Sequence, residues 1–200
     1  LNLGLRYDYF TFLYKSSIDD TSSANRGQGI ASPKINIYYK LTQALQLYAS
    51  GGYGFHSNDA RVSVYKTTQS SLPRAKSVDL GTNAKIGNKL FVNMALWYMY
   101  LESEYVYVGD DGLLEPSGST RRMGIDMSFR YQLAKWLFAD MDLNLAKPRY
   151  INLPRNENYV PLAPPIISTG GLSVKQNKWS ASLRYRYLGH RPAEEDNTIV

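Results

Sequence analysis

The stretch Thr120–Ala146, TRRMGIDMSFRYQLAKWLFADMDLNLA, holds two alternating segments that meet across a gap of three residues. In the first arm Met123, Ile125, Met127, Phe129, Tyr131 and Leu133 are apolar, and Arg122, Gly124, Asp126, Ser128, Arg130 and Gln132 fall between them. In the second, Leu137, Ala139, Met141, Leu143 and Leu145 alternate with Phe138, Asp140, Asp142 and Asn144. Successive Cβ atoms of an extended chain point to opposite sides, so a period of two gives each set one face. The stretch predicts a β-hairpin with one greasy and one charged face. Each arm is about ten residues or more, the length a tilted strand needs to cross a bilayer and longer than the usual globular strand. A face carrying Asp126, Arg130, Asp140 and Asp142 makes a poor dry core, because unpaired buried charge is costly. It fits a wet or plugged lumen, with the apolar face turned to lipid.

The whole composition admits this reading. The 200 residues are 44% hydrophobic and 20% charged, enough for a packed domain and too apolar for disorder. No run of about 18 apolar residues occurs, which excludes a transmembrane helix. Crossing by strand stays open, because only alternate residues of a barrel strand face lipid and the mean hydropathy is then negative, as it is here. Seventeen tyrosines and three tryptophans suit aromatic girdles at two membrane interfaces, although an aromatic-rich soluble sheet would use them too. With no cysteine, neither disulfides nor thiolate-bound metal contribute. The net charge of +6 is scattered over loops, turns and polar faces without a dense basic helix, and no nucleic-acid partner is expected.

Taken in order, Leu1 to Phe10 alternates as a strand, and a polar, Gly-containing loop is expected from about Thr11 to Ser32, with Pro33 marking the return to extended structure. Lys34 to Leu41 and a partner arm from Leu45 form a second hairpin, which runs through SGGYGF into a long loop at 56–73. A third hairpin has Val78 to Ile86 as one arm and Leu90 to Leu101 as the other. The latter is apolar on both faces, so its pattern does not say which side is outward. A loop around Gly109 to Ser119 contains the turn dipeptide Asp111-Gly112. A Pro-rich loop from Pro148 to Pro165 precedes a last hairpin, Ile166 to Lys175 with Trp179 to Leu188.

Connections are short at 42–44, 87–89, 134–136 and 175–178 and long between them. Strict alternation of this kind is expected of an up-and-down membrane barrel, whereas a sandwich has no reason to gather its long loops at one end. No helical pattern interrupts the strands, which leaves no place for a nucleotide site at a strand-to-helix turn. The fold class is therefore all-β: an antiparallel up-and-down transmembrane β-barrel, of which about nine strands are present. Bacterial single-chain barrels have even counts, so 1–200 is expected to be part of one barrel domain, open on its own, with edges at Leu1–Phe10 and Trp179–Leu188 that need neighbours.

Four stretches, GYGFHSNDAR (Gly52 to Arg61), LPRAKSVDLGTNAKI (Leu72 to Ile86), STRRMGID (Ser119 to Asp126) and LRYRYLGHRP (Leu183 to Pro192), carry a further reading. Together they resemble the C-terminal half of the barrel of TonB-dependent outer-membrane receptors. The second stretch is similar to that family's loop-to-strand passage, with Pro73, Asp79, Leu80 and Gly81 in the corresponding places. The resemblance implies a barrel of about 22 strands with a plug domain outside this segment, these strands being about the eleventh to the nineteenth. It also implies the cell outer membrane of a Gram-negative bacterium and active uptake of a scarce nutrient such as a ferric siderophore. Implied partners are membrane lipid, a small-molecule substrate and the TonB energy-coupling protein, the last reached through an N-terminal segment. No enzyme activity and no cofactor are implied. A porin-like channel or an outer-membrane barrel enzyme is the alternative.

His56, Ser57, Asn58, Asp59 and Arg61 crowd a strand-to-loop junction. Adjacent residues of an extended stretch point apart, and catalytic triads are assembled from distant positions, so no catalytic residue is assigned. As extracellular-loop candidates for touching a ligand, His56, Asn58, Asp59, Arg61, Tyr65 and Tyr159 stand out, because function gathers on loops. A purely structural loop is the plainer reading of the same residues. Asp110, Asp111 and Glu115 lack calcium-loop spacing, and His56 and His190 are too few and too far apart, so no metal site is assigned. Arg121, Arg122, Arg130, Arg184 and Arg186 offer a basic lumen lining, or, more plainly, pairs for Asp126, Asp140 and Asp142. Trp136 and Trp179 beside short turns read as interface anchors.

Overall fold

Alternation written along the chain becomes sheet only when neighbouring strands bring like faces together. The computed structural model of the chain describes residues 1–15, 24–57, 63–64, 70–103, 105–108, 113–116 and 118–193. Its strands are β1 (Asn2–Tyr14), β2 (Ala24–Lys40), β3 (Leu45–Phe55), β4 (Arg74–Ile86), β5 (Leu90–Leu101), β6 (Tyr105–Val108), β7 (Leu113–Pro116), β8 (Thr120–Gln132), β9 (Leu137–Tyr150), β10 (Ile166–Gln176) and β11 (Trp179–Leu188). Nine of them form one antiparallel sheet in the order β1-β2-β3-β4-β5-β8-β9-β10-β11, while β6 and β7 pair separately. This is an open up-and-down sheet, a partial barrel with β1 and β11 at its edges.

Register keeps the two faces apart. Leu80 stands opposite Ala49 and Leu96, Leu96 opposite Ile125, Ile125 opposite Leu145, and Leu145 opposite Ile166. These residues share the apolar face, and it is not covered: in mid-sheet Leu80 is 55% and Leu96 58% exposed. Apolar area of this extent in the open is what a lipid-facing wall shows and what a soluble sheet hides. The same pairings settle β5, whose pattern was ambiguous. Val92, Met94, Leu96 and Tyr98 join the apolar face, and Asn93, Ala95, Trp97 and Met99 turn to the other side.

The opposite face is a ladder of polar contacts. Gln46 Oε1 accepts from Asn83 Nδ2 at 3.3 Å, and Asn83 Oδ1 accepts from Asn93 Nδ2 at 2.7 Å. Trp97 Nε1–H donates to Asp126 at 3.0 Å, and Asn144 donates to the same carboxylate. Arg130 bridges to Asp142 at 2.9 Å, and Arg184 pairs with Asp140. Arg130 and Arg184 are thus matched across strands, as expected where the alternative is a lone charge against protein.

The short turns lie at one end, between β2 and β3, β4 and β5, β8 and β9, and β10 and β11. Two of them use left-handed backbone, Gly87 at φ 58° and Asn177 at φ 52°, where glycine and asparagine are the tolerant residues.

The structure departs from the sequence reading at three places. The expected loop 11–32 is mostly strand: β1 reaches Tyr14 and β2 starts at Ala24, with Tyr7 opposite Ala31 and Tyr9 opposite Gly29. The Tyr7 and Tyr9 rings lie over Gly29 and Gly27, where a Cβ would strike them, so aromatic cover makes strand of a glycine-rich segment. Pro33 therefore sits inside β2, one residue beyond the Lys34–Gly52 pair that ends the ladder with β3, where its missing N–H leaves that ladder intact. On either side of Asp111-Gly112, in agreement with the turn expected there, β6 and β7 pair, Val108 opposite Leu113. Pro148 belongs to β9, opposite Arg122.

Candidate functional site

The long-loop end of the polar face carries a cluster of buried apolar side chains. Phe10, Phe12, Gln28 and Ile30 occupy alternate positions of β1 and β2 that share a face with Arg6, Asp8 and Lys34. Ser63, Val64 and Ser70 to Leu72, from the connection between β3 and β4, pack onto them. Leu72 is fully buried against Phe12, Ile30 and Val64, with Phe10, Tyr14 and Phe55 packed around that cluster. The Phe10 ring lies 6.2 Å from that of Phe12 and meets Phe55 edge-on at 5.5 Å, an aromatic arrangement favoured beyond its buried area.

Polar contacts fix the same segment. Gln28 uses both ends of its amide: Nε2 donates to Ser70 Oγ at 2.9 Å, and Oε1 accepts the Ser71 N–H at 2.9 Å. Arg26 Nη1 donates to the Ser63 carbonyl at 3.0 Å, and Ser71 Oγ donates to the same oxygen at 3.4 Å. At the base of the loop the His56 N–H donates to the Pro73 carbonyl at 3.1 Å.

Near these residues the wall forms an open recess of about 480 Å³, lined by Arg6, Ser32, Lys34, Gly54 and Phe55 among others. Arg6 is held by Asp8 at 2.7 Å. Lys34 lies in register between Gly4 and Gly52, and a Cβ on Gly4 would stand 2.7 Å from Lys34 Cε. The missing side chain lets the lysine stem lie across its neighbour. Among the described residues no carboxylate pairs with Lys34, so it adds positive charge to the recess. Cations and aromatic rings around one recess recognise anionic or π-bearing small molecules.

Of the six residues singled out in the sequence, the structure places two. His56 is exposed at the base of the folded loop. Tyr159 lies on the 151–165 loop, pairs with Arg149 and carries that guanidinium 3.9 Å over its ring. The other four, Asn58, Asp59, Arg61 and Tyr65, lie outside the described residues. Arg121, considered for a lumen lining, is instead on the apolar face, because it pairs with Tyr100. Among the described residues no three His, Asp or Glu side chains come together as a metal site. Missed in the sequence were Arg26, Gln28 and Lys34, and the aromatic pair Phe10 and Phe12. Their signal was a change of phase after Tyr9, where apolar residues cross to the polar face.

An up-and-down antiparallel wall with one bare apolar face and one polar face is the architecture of a piece of a large membrane barrel. Residues 1–199 match the model of the family described as TonB dependent receptor-like, beta-barrel, and the chain belongs to that family. Solved structures agree on the fold. The ferric citrate transporter FecA in its unliganded form superposes with a TM-score of 0.77 at 19% identity, covering 99% of this chain and 31% of its own. The siderophore receptor PiuA from Acinetobacter baumannii gives 0.70 at 15% identity, covering 98% and 32%. The copper transporter OprC gives 0.69 at 19%, covering 92% and 31%. The chain thus spans about a third of the length of the transporters it resembles.

Proposed function

We propose that the chain is a wall segment of an outer-membrane receptor of a Gram-negative bacterium that actively takes up a scarce, metal-bearing nutrient such as a ferric siderophore. The observation that carries this reading is the packing of Ser63, Val64 and Ser70 to Leu72 on the polar face near the Arg6–Lys34 recess. A passive pore needs only a wet lumen. A receptor needs a mouth that holds its ligand before letting it pass, and aromatic rings with unpaired positive charge suit an anionic chelate. Support for a metal chelate comes from the proteins of like fold, which include a ferric citrate transporter, a siderophore receptor and a copper transporter. Energy would reach the barrel from the inner-membrane coupling protein TonB through an N-terminal segment outside this chain. The wall itself forms no covalent intermediate in this scheme: it binds, excludes the bulk and releases.

The test is uptake of radiolabelled ferric chelates by cells whose only receptor is the full-length protein, with and without the coupling protein. Saturable uptake that vanishes without the coupling protein is expected, and Lys34→Gln should raise the half-saturation concentration about ten-fold, or ~1.4 kcal/mol of binding. Uptake linear in concentration and indifferent to the coupling protein would sink the receptor reading.

A further inference from the structure

The polar face carries a second group of cations near the short-turn end. Below Lys34 on β2 the positions of that face are Asn36, Tyr38 and Lys40, which puts Lys40 about 20 Å along the strand from the recess. Lys40 stands opposite Gln46, Gln46 opposite Asn83, and Asn83 opposite Asn93. Lys85 comes one step lower on β4, opposite Phe91. Two strand spacings and one step separate the lysines, about 10 Å across and about 7 Å along, and both side chains are exposed. Tyr38 and Tyr48 form the row above Lys40 and Gln46, their ring centroids 6.2 Å apart. The Tyr48 ring lies across Gly81, where a Cβ would strike it, and so its hydroxyl end stands over β4.

The uncommitted groups of this patch are donors. In the amide ladder the Gln46 oxygen takes Asn83 Nδ2 at 3.3 Å and the Asn83 oxygen takes Asn93 Nδ2 at 2.7 Å, which leaves Gln46 Nε2 without a partner. Among the described residues no carboxylate pairs with Lys40 or Lys85, and the Tyr48 hydroxyl has no hydrogen bond. The carboxylates of the face stand apart from it. Asp79 is six residues above Lys85 on β4, Asp126 is held by Trp97 and Asn144, and Asp140 and Asp142 are held by Arg184 and Arg130. At the same height the opposite face carries Tyr39, Leu45, Ile86 and Leu90, so a bilayer would lie behind the two lysines, out of their reach.

We propose that Lys40, Lys85, Gln46 and the Tyr38–Tyr48 pair form an exit site for an anionic chelate, a weaker station between the Arg6–Lys34 recess and the short-turn mouth. Passage through a pore needs binding favourable enough to enter and divided among sites weak enough to leave. A second cationic station on the strand that carries Lys34 divides the descent of an anion in this way and raises its local concentration at the mouth. The donor set selects the occupant. A cation finds no counter-charge here, and a neutral sugar leaves two ammonium groups unmatched, whereas carboxylate or catecholate oxygens take charge-assisted hydrogen bonds from both lysines. The site rests on the receptor reading above and adds to it a route: it acts after capture, so it governs the rate of passage and not the affinity of the recess.

The experiment uses cells whose only receptor is the full-length protein, with radiolabelled ferric citrate and a ferric tris-catecholate as anionic probes. Binding is measured without the coupling protein and uptake with it. With Lys40→Gln and Lys85→Gln together, binding should stay within about two-fold of the parent while the maximal uptake rate falls roughly ten-fold, and Lys40→Arg with Lys85→Arg should restore the rate. An unchanged maximal rate overturns the proposal, and so does an equal fall on changing Lys135 and Lys178 to Gln in two other short turns. Entry of a large antibiotic through the double variant in cells without the coupling protein would show that the lysines hold an acidic surface of the same protein in place, and overturns it too. Should the double variant not reach the outer membrane, Asn83→Asp decides: a carboxylate set between the lysines should lower the rate about three-fold or more, and an unchanged rate overturns the proposal. An unaltered receptor that takes up neither probe in a saturable, coupling-dependent way sinks both readings, whereas normal uptake that ignores Lys40 and Lys85 sinks only this one.

Discussion

The side chain of Gln28 on β2 accepts the backbone N–H of Ser71 at 2.9 Å, across 43 positions of sequence, and ties the β3–β4 loop to the polar face. That contact makes the mouth of the wall a built structure rather than a free loop. Gln28→Ala removes an acceptor from a fully buried serine's N–H and a donor from Ser70. Leaving such groups unpaired costs about 1–3 kcal/mol. Amide exchange at Ser71 and Leu72 in the full-length protein should speed up by roughly ten-fold or more, with exchange in β8 and β9 unchanged.

A second expectation concerns Gly124. A Cβ there would stand 2.5 Å from Trp97 Cζ2 and would also meet the Leu145 carbonyl oxygen. Gly124→Ala must push the indole aside and with it the Trp97–Asp126 hydrogen bond of 3.0 Å. Overpacking of this kind typically costs about 1–3 kcal/mol. The midpoint of heat-modifiable gel mobility should fall, and Trp97 emission should shift to the red.

The assignment of β5's faces gives a sharper test. Leu96→Arg puts a charge in mid-band on the apolar face, where barrels lose about 2–4 kcal/mol. Thr169→Arg places the same group on the polar face, opposite Asp142 and Arg186, in a recess that Thr169 lines with Asp126 and Asn144. Urea unfolding in lipid vesicles should show the first variant strongly destabilised and the second within about 1 kcal/mol of the parent. A Leu96→Arg variant as stable as the parent would mean that β5 is turned the other way.

The Arg130–Asp142 pair is well aligned yet open to solvent, with side chains 47% and 43% exposed. Coupling between exposed partners is usually about 0.2–1 kcal/mol. A double-mutant cycle of Arg130→Ala and Asp142→Ala should return a value in that range, and it should shrink as salt is raised. A coupling of several kcal/mol would show that a further part of the barrel closes over the pair.

What the sequence determined by itself was whatever depends on neighbours along the chain. Alternation at Met123–Leu133 and Leu137–Leu145 fixes which residues share a face, and Gly87-Asn88-Lys89 fixes a turn, since both are properties of a few adjacent residues. Long and short connections follow from the spacing of those runs, and the up-and-down order with them. Tertiary structure decided what requires a partner strand. NRGQGIAS (25–32) reads as loop by its glycines and becomes strand because Tyr7 and Tyr9 cover Gly29 and Gly27. Leu90–Leu101, apolar on both sides, acquires an outside only through Leu80 and Ile125. Arg121 looks like its neighbour Arg122, and register alone sends it to the opposite face. The mouth, built from Phe10, Gln28 and Leu72, joins residues more than forty positions apart. Local propensity is carried by each residue, but a face, a register row or a folded loop is a relation between strands, and only pairing creates it.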